Sequence, residues 1–262
     1  MEEKYELYLG DCLEVMKTFE PNIIDLTVTS PPYDNLRTYE GSLNDWTFEK
    51  FQEIAKELFR ITKEGGVVVW VVGDATINGS ETGTSFKQAL YFKEIGFNLH
   101  DTMIWEKTGR GSVGSKYCYW QNFEYMFIFS IGRPKSFNPI CDRYNRRAGE
   151  KTTTGHRNKY GTYKREIVTK PFGRRFNNWR INQETKQEHP APFPEQLAND
   201  HIVSWSNEDD IIFDPFLGSG TTGKMAILNN RKFIGIERVN KYFEISKKRI
   251  EEVEKEKSRS IF

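Results

Sequence analysis

One run of six residues constrains the fold of this chain more than any other feature of its sequence. Residues 67–72 read Val-Val-Val-Trp-Val-Val and include no polar side chain. A strand with one face in water alternates apolar and polar residues, whereas a strand covered on both faces is apolar throughout. Strands of the second kind are typical of parallel sheets with helices on both sides. The run therefore predicts an α/β protein.

Strands and helices are predicted to alternate along the rest of the chain. Strands are predicted at residues 5–9, 23–29, 67–72, 102–105, 125–129, 211–213 and 233–236. Helices are predicted at residues 48–59, 85–95, 194–203, 221–229 and 241–255. This alternation favours a central, mostly parallel sheet. Helix 241–255 is interpreted as a solvated helix whose charges have no further role.

The composition excludes several classes of protein. Hydrophobic residues make up 37% and aromatic residues 14% of the chain, which is enough for a folded core. No apolar run approaches the roughly 18 residues of a membrane span, and the first residues lack the basic and apolar stretches of a secretion signal. Cys12, Cys118 and Cys141 are too few and too scattered for a disulfide scaffold or a zinc site. We expect a soluble protein of a reducing compartment, without a metal.

Positive charge is concentrated in one segment, although the net charge of the whole chain is only +1. Residues 141–186 contain 13 basic and 4 acidic residues, a net charge of +9, whereas the rest of the chain carries −8. Aromatic side chains that can stack on bases lie among these cations: Tyr144, Tyr160, Tyr163, Phe172, Phe176 and Trp179. The pattern favours a nucleic-acid partner. A solvated basic loop is the alternative.

A glycine-rich loop follows the strand predicted at 211–213. The sequence from Ile211 onward reads Ile-Ile-Phe-Asp-Pro-Phe-Leu-Gly-Ser-Gly-Thr-Thr. Gly218 and Gly220 allow the backbone to pass close to a ligand, and Thr221 or Thr222 is predicted to cap the next helix. The alternative is that the glycines only permit close packing of helix on strand.

Two acidic residues narrow the range of ligands that this loop could bind. Glu237 ends the next strand 19 residues after Gly218, where an acid that binds ribose hydroxyls is expected. Asp214 would repel a pyrophosphate but suits a cation such as a methionine ammonium or a sulfonium. Residues 218–224 read Gly-x-x-x-x-Gly-Lys, the start of a phosphate-binding loop, but Met225 stands where that loop needs Ser or Thr. Nucleoside triphosphate hydrolysis is therefore rejected.

A second motif, Thr-Ser-Pro-Pro-Tyr, ends at Tyr33 and follows the strand predicted at 23–29. Pro31 and Pro32 fix the backbone, and Ser30 is held extended by the proline after it. The Ser30 hydroxyl and the carbonyls of Ser30 and Pro31 would accept the two N–H bonds of an exocyclic amine, and Tyr33 adds an aromatic face. A strand stop with a core tyrosine is the alternative. Because ligands collect at the carboxyl ends of parallel strands, the two motifs are predicted to be neighbours.

Together these motifs resemble those of the β-class DNA amino-methyltransferases, which use S-adenosylmethionine. Thr-Ser-Pro-Pro-Tyr resembles their catalytic motif, and Asp-Pro-Phe-Leu-Gly-Ser-Gly-Thr-Thr resembles their cofactor motif, in the circularly permuted order of that class. The segment from His189 to Glu195 is similar to the one that lies over the methionine part of the cofactor. Gly10 and Asp11 resemble the strand end near the adenine, and the strand ending at Glu237 resembles the one that binds the ribose.

The resemblance implies a Rossmann-like class I methyltransferase fold with a seven-stranded sheet, six strands parallel and one antiparallel. It places strand 211–213 beside strand 23–29. Residues 1–137 would form the catalytic half, residues 138–186 an inserted target-recognition region, and residues 187–262 the cofactor-binding half.

The resemblance also implies residue roles, and the basic segment supplies candidate DNA contacts. The catalytic candidates are Ser30, Pro31, Pro32 and Tyr33. The cofactor-binding candidates are Asp11, Pro190, Phe193, Glu195, Asp214, Pro215, Phe216, Gly218, Ser219, Gly220, Thr221, Thr222 and Glu237. The DNA-binding candidates are Arg146, Arg147, Lys164, Arg165, Arg174 and Arg175.

The implied reaction is direct transfer of a methyl group to the amine of a base rotated out of the duplex, with no metal and no covalent intermediate. Methylation of a ring carbon needs a nucleophilic cysteine, usually after a proline, and the three cysteines follow Asp, Tyr and Ile. Cytosine N4 is favoured, because Ser-Pro-Pro-Tyr leans toward it in this family. Adenine N6 is the alternative, and a non-catalytic DNA-binding relative or an enzyme acting on RNA or a small amine are further ones.

The expected partner is double-stranded DNA, and no membrane partner is expected. We expect a cytoplasmic, nucleoid-associated protein that is prokaryotic or phage-encoded. A companion restriction endonuclease, as in restriction-modification systems, stays open. Monomer and homodimer are both open, and the recognition sequence is not readable from the chain.

Overall fold

The computed structural model describes residues 4–32, 46–108, 117, 119–158, 161–183 and 194–260. The chain divides into two compact units, one formed by Met1–Asn138 with Asn177–Phe262 and the other by Pro139–Phe176. The second unit ends at Phe176 rather than at residue 186, where the predicted target-recognition region ends. The role of that region stays a prediction.

The first unit is built on an eight-stranded sheet in the described residues. Its strands in chain order are β1 Tyr5–Leu9, β2 Ile24–Thr29, β3 Thr62–Val72, β4 Asn98–Thr108, β5 Phe123–Ser130, β6 Asn178–Asn182, β7 Ile211–Asp214 and β8 Lys232–Glu237. Their order across the sheet is β1-β8-β7-β2-β3-β5-β4-β6. Strand β5 is antiparallel to both its neighbours, and the other pairings are parallel. A short antiparallel pair, Thr76–Ile77 with Ser80–Glu81, lies outside this sheet.

Helices cover both faces of this sheet. They are α1 Cys12–Met16, α2 Phe48–Ile61, α3 Thr84–Glu94, α4 Glu195–Trp205, α5 Thr221–Leu228 and α6 Asn240–Ser260. The apolar run of β3 divides between two cores: Val67, Val69 and Val71 pack with α4, α5 and α6, whereas Val68 and Trp70 pack with α1, α2 and α3. Successive side chains of a strand point to opposite faces, so a strand between two helical layers is apolar throughout. The predicted α/β fold is confirmed.

The sheet has one strand more than the resemblance implies. Strand β6 lies in the basic segment and pairs in parallel with β4, with Trp179 opposite Trp105. Along β6, Trp179 and Ile181 are buried while Arg180 is exposed. The Trp179 ring stacks on the buried His201 ring, with 4.5 Å between centroids. The interpretation of Trp179 as a face for stacking on bases was therefore wrong, because this side chain belongs to the core of the first unit.

The second unit consists of two antiparallel strand pairs in its described residues. Lys151–Asn158 pairs with Gly161–Val168, and Arg143–Tyr144 pairs with Phe172–Gly173. The backbone closes this unit through hydrogen bonds from Asn145 N to Pro171 O and from Thr169 N to Glu150 O, each 2.9 Å. Among the described residues of the whole chain, no helix combines the length and the apolar character that crossing a membrane requires.

Candidate functional site

The carboxyl ends of β2 and β7 bring the two sequence motifs together. The two strands pair in parallel, with Ile212 opposite Leu26. At their ends, Thr29 Oγ1 donates a hydrogen bond of 2.7 Å to Asp214 Oδ1, although 185 residues separate these two positions in the chain. The predicted neighbourhood of the two strands is confirmed, so the Ser-Pro-Pro motif begins next to the start of the glycine loop.

Asp214 is a buried carboxylate, with 5% of its surface exposed. Its Oδ1 also accepts a hydrogen bond of 3.0 Å from the backbone N–H of Phe216. Burial raises the pKa of Asp214 to about 6, and the Thr29 hydroxyl and the Phe216 N–H oppose that rise. A cation close to Asp214 would favour its charged form and lower the pKa again.

The glycine loop between β7 and α5 needs its glycines. Gly218 and Gly220 have φ values of 53° and 80°, in the left-handed region that side chains rarely adopt. A Cβ atom on Gly220 would also lie 2.8 Å from Ser246 Cβ in α6. The loop is thus packed against α6 at a position where only glycine fits.

The prediction that a threonine caps α5 was wrong. The N-cap residue is Gly220, which has no side chain to accept a hydrogen bond, and α5 begins at Thr221. Thr222 Oγ1 instead donates a hydrogen bond of 3.2 Å to the carbonyl oxygen of Val28 in β2. Thr222 therefore joins the cofactor-motif helix to the strand that carries the catalytic motif.

Two further acids lie at neighbouring strand ends. Glu237, at the end of β8, accepts backbone hydrogen bonds of 2.8 Å from Gly218 N at Oε2 and from Val239 N at Oε1. Burial raises its pKa, against the effect of these N–H donors. Asp11, just after β1, accepts from Leu13 N at 2.9 Å and from Lys50 Nζ at 3.1 Å. Although burial opposes it, the bond and charge of Lys50 hold the pKa of Asp11 below its ordinary value.

Glu195 begins α4, and its carboxylate faces two cations. Its Oε1 accepts hydrogen bonds from Lys224 Nζ at 2.6 Å and from Arg249 Nη2 at 2.9 Å. Arg249 Nη1 donates to the carbonyl oxygen of Ser219 at 2.6 Å. The interpretation of helix 241–255 as carrying charges without a role was therefore wrong for Arg249. The spacing of Tyr242, Ser246, Ile250 and Val253, which form the buried face of α6, was the signal that this helix packs on the loop.

The remaining candidates of the two motifs differ in exposure. Ser30 and Pro32 are half-buried, and Pro31 and Pro215 are buried. The half-buried Phe216 ring makes an edge contact with Trp46, at 5.4 Å between centroids. Tyr33, Pro190 and Phe193 lie outside the described residues, and their predicted roles stay predictions.

The DNA-binding candidates all lie in the second unit, where Arg147 and Arg175 form ion pairs. Arg147 Nε lies 2.6 Å from Glu150 Oε2, and Arg175 Nη2 lies 2.5 Å from Asp142 Oδ2. Four further candidates are exposed: Arg146, Lys164, Arg165 and Arg174. A cavity of about 550 Å³ is lined by Arg143, Arg146 and Arg147 and by the rings of Tyr144 and Phe176. This unit therefore combines cations with aromatic faces, the chemistry that nucleic acids require.

Comparisons with known proteins agree on one family. A family model described as DNA methylase, of the N6 and N4 type, matches residues 24–248. The orphan methyltransferase M.BamHII of Bacillus amyloliquefaciens is 55% identical over 255 residues, which cover 92% of this chain and 90% of that protein.

Solved structures share the fold. PvuII DNA methyltransferase, described as cytosine-N4-specific, aligns with a TM-score of 0.70 and 22% identity, covering 97% of this chain and 92% of that chain. M1.HpyAVI in complex with SAM aligns with a TM-score of 0.66 and 23% identity, covering 94% of this chain and 98% of that chain.

Proposed function

This chain belongs to the DNA methylase family of N6 and N4 amino-methyltransferases, and we propose that it transfers a methyl group from S-adenosylmethionine to N4 of a cytosine in double-stranded DNA. The observation that carries the proposal is the hydrogen bond from Thr29 to Asp214. It joins the loop suited to the methyl donor to the corner suited to the accepting amine. Direct transfer needs the methyl carbon and the accepting nitrogen about 3–3.5 Å apart, and this hydrogen bond makes the ends of the two strands immediate neighbours.

The residues of the glycine loop fit the cofactor. Both oxygens of Glu237 already accept one backbone N–H, and each keeps a second lone pair for a ribose hydroxyl. The buried Asp214 carboxylate, with its raised pKa, is stabilised by a cation. The left-handed backbone at Gly218 and Gly220 gives the loop the tight turn by which its backbone can pass close to a ligand. Bound S-adenosylmethionine supplies an electrophilic methyl group on a positively charged sulfur.

The Ser-Pro-Pro corner activates the amine by accepting hydrogen bonds from its two N–H groups. The amine of a base is conjugated with the ring and is a poor nucleophile. The Ser30 hydroxyl and the carbonyls of Ser30 and Pro31 draw the two N–H bonds out of the ring plane and direct the nitrogen lone pair toward the methyl group. Positioning and electrostatics then carry the catalysis. Rotating the base out of the duplex costs a few kcal/mol, and stacking on Tyr33 offsets about 1–3 kcal/mol of that cost.

The choice of cytosine N4 depends on the serine of the motif. A serine hydroxyl and an aspartate carboxylate can both accept an N–H bond, and the serine form leans toward cytosine in the resemblance described above. The cytosine-N4-specific PvuII enzyme shares the fold at 22% identity, which supports the scaffold rather than the base. The DNA is proposed to lie against the unit Pro139–Phe176, and the enzyme to act in the cytoplasm where its DNA lies.

Nucleoside analysis tests the proposal directly. The purified protein is incubated with unmethylated duplex DNA and S-adenosylmethionine, and the DNA is digested to nucleosides and analysed by mass spectrometry. We expect N4-methylcytosine. N6-methyladenine as the only product would refute the cytosine assignment. Tight duplex binding without any methylated nucleoside would indicate a non-catalytic relative, and a parallel reaction with RNA distinguishes an enzyme of a different substrate class.

A further inference from the structure

Arg249, in the middle of α6, joins two parts of the cofactor site that lie far from it in the sequence. Its Nη1 donates to the Ser219 carbonyl oxygen at 2.6 Å and to Ser219 Oγ at 3.0 Å. Its Nη2 donates to Glu195 Oε1 at 2.9 Å. We propose that Arg249 is a positioning residue that holds the glycine loop in its cofactor-binding conformation and thereby sets the affinity for S-adenosylmethionine. This inference rests on the cofactor site proposed above.

The surroundings of Arg249 distinguish it from an ordinary surface ion pair. Its side chain is 21% exposed and that of Glu195 is 32% exposed, and Ser219 is buried. Exposed ion pairs contribute little to stability, because water competes for both charges and the side chains lose freedom. A charged donor on a backbone carbonyl is different, since it is a charge-assisted hydrogen bond that fixes the backbone itself.

The glycine loop needs external support to keep one conformation. Gly218 and Gly220, on either side of Ser219, both have positive φ values, and glycine loses more conformational freedom on ordering than any other residue. Glu237 holds the N–H of Gly218 from the sheet side. Arg249 holds the Ser219 carbonyl from the helix side. The loop is therefore fixed between a carboxylate and a guanidinium, one residue apart.

The same helix face contacts the loop twice. Ser246 lies three residues before Arg249 in α6, and a Cβ on Gly220 would lie only 2.8 Å from the Ser246 Cβ. Residues three apart on a helix are neighbours on its surface. Ser246 therefore requires glycine at position 220. Because glycine makes the loop flexible, the hydrogen bond from Arg249 to Ser219 is needed to hold the loop in place.

The fold is expected to survive the loss of this arginine. Lys224 Nζ lies 2.6 Å from the same Glu195 Oε1, so Glu195 keeps a cationic partner when Arg249 is replaced. The buried face of α6, formed by Tyr242, Ile250 and Val253, is unchanged by such a replacement. A change in cofactor binding can thus be measured in a folded protein.

The test compares Arg249→Gln and Arg249→Lys with a control variant, Lys248→Gln. Lys248 is the preceding residue of α6, and its side chain is exposed. Calorimetric binding of S-adenosylmethionine and steady-state kinetics are measured for each. We expect Arg249→Gln to weaken cofactor binding about 10- to 100-fold, the equivalent of losing charge-assisted hydrogen bonds. Its kcat at saturating cofactor and its KM for DNA should stay within about twofold of the wild type, because the lost contact acts on cofactor binding alone. Arg249→Lys should be intermediate, and Lys248→Gln should match the wild type.

Unchanged cofactor affinity in Arg249→Gln overturns the inference. A fall in kcat and a rise in KM for DNA to the same extent as the cofactor effect also overturns it, since a general structural role predicts that result. If Arg249→Gln does not fold, Arg249→Lys decides: wild-type affinity contradicts the inference and reduced affinity with unchanged thermal stability supports it. A wild-type enzyme that binds S-adenosylmethionine but forms no N4-methylcytosine contradicts the proposed function instead, and the affinity comparison stands.

Discussion

Replacing Asp214 by asparagine should stabilise the ligand-free protein while weakening cofactor binding. The pKa of Asp214 is raised by burial from 3.8 to about 6, so the folded state holds a proton that the unfolded state has lost between these pH values. The ionised carboxylate therefore costs stability that grows as pH rises through that window. Linkage gives a cost of about 2 kcal/mol at pH 5 and about 3 kcal/mol at pH 8. Asparagine keeps an acceptor for Thr29 and Phe216 but has no charge to bury.

Urea unfolding of the wild type and Asp214→Asn at pH 5 and pH 8 measures this difference. The variant should be the more stable protein at both pH values, and its advantage should grow by about 1 kcal/mol between them. Binding of S-adenosylmethionine to the wild type should strengthen from pH 5 to pH 7, because a cation pairs with the ionised form. The variant should bind S-adenosylmethionine more weakly than the wild type does. Its affinity should not change with pH through position 214, because asparagine does not titrate.

A variant that is no more stable than the wild type at pH 8 would refute this reasoning. In that case the hydrogen bonds from Thr29 and Phe216 would offset the burial of the charge in full. Stabilisation together with unchanged cofactor affinity would separate the two claims: the burial cost would stand, and the role of Asp214 in recognising a cation would fall.

Three further predictions concern the loop, a buried histidine and the basic unit. Gly220→Ala should lower the free energy of unfolding by about 1–3 kcal/mol more than Gly79→Ala, because both glycines have φ values of 80° but only the first would clash with α6; equal losses in urea unfolding would contradict the packing argument. Burial lowers the pKa of His201 to about 3, so below pH 6.5 the unfolded state binds a proton that the folded state does not, and stability is lost as pH falls. His201→Phe should reduce this loss of stability between pH 7 and pH 5 by about 2 kcal/mol. An equal pH dependence of stability in the variant and the wild type would contradict the prediction. Arg174→Ala combined with Arg175→Ala should weaken duplex binding and reduce the salt slope by less than two phosphate contacts, because Arg175 is paired with Asp142. Unchanged affinity and slope in filter-binding titrations would remove both residues from the DNA interface.

The sequence predicted the parts of the fold that depend on local patterns and on general rules of α/β topology. The apolar run at 67–72 indicated a strand between two helical layers, and the structure divides its side chains between two cores. The proximity of the two motifs was also predicted, from the rule that ligands collect at the carboxyl ends of parallel strands and from the strand order that the resemblance implies. The hydrogen bond from Thr29 to Asp214 joins those two strand ends.

Features that depend on contacts between distant polar residues were not predictable in this way. Strand β6 has only five residues inside a basic segment, so the alternation of Trp179 and Ile181 with polar residues was obscured by the charges around it. Arg249 was missed because an arginine in a highly charged helix has no pattern that reveals its partner. Its partner is a backbone carbonyl in the glycine loop, and only the folded chain brings that carbonyl within reach.

The acids of the site explain why one nucleoside cofactor fits it better than another. Asp11, Glu237 and Asp214 follow or end β1, β8 and β7, which are adjacent in the sheet, and each accepts at least one backbone N–H that shapes its loop. These three side chains accept the backbone N–H bonds that shape the local structure, so the acids that would face a ligand are also part of the loops themselves. A nucleoside triphosphate would bring several negative charges toward them and be repelled. An adenosine linked to a methionine sulfonium brings no phosphate and, in the proposed site, would carry its positive charge toward Asp214, so the groups that build the loop would also favour this cofactor over ATP.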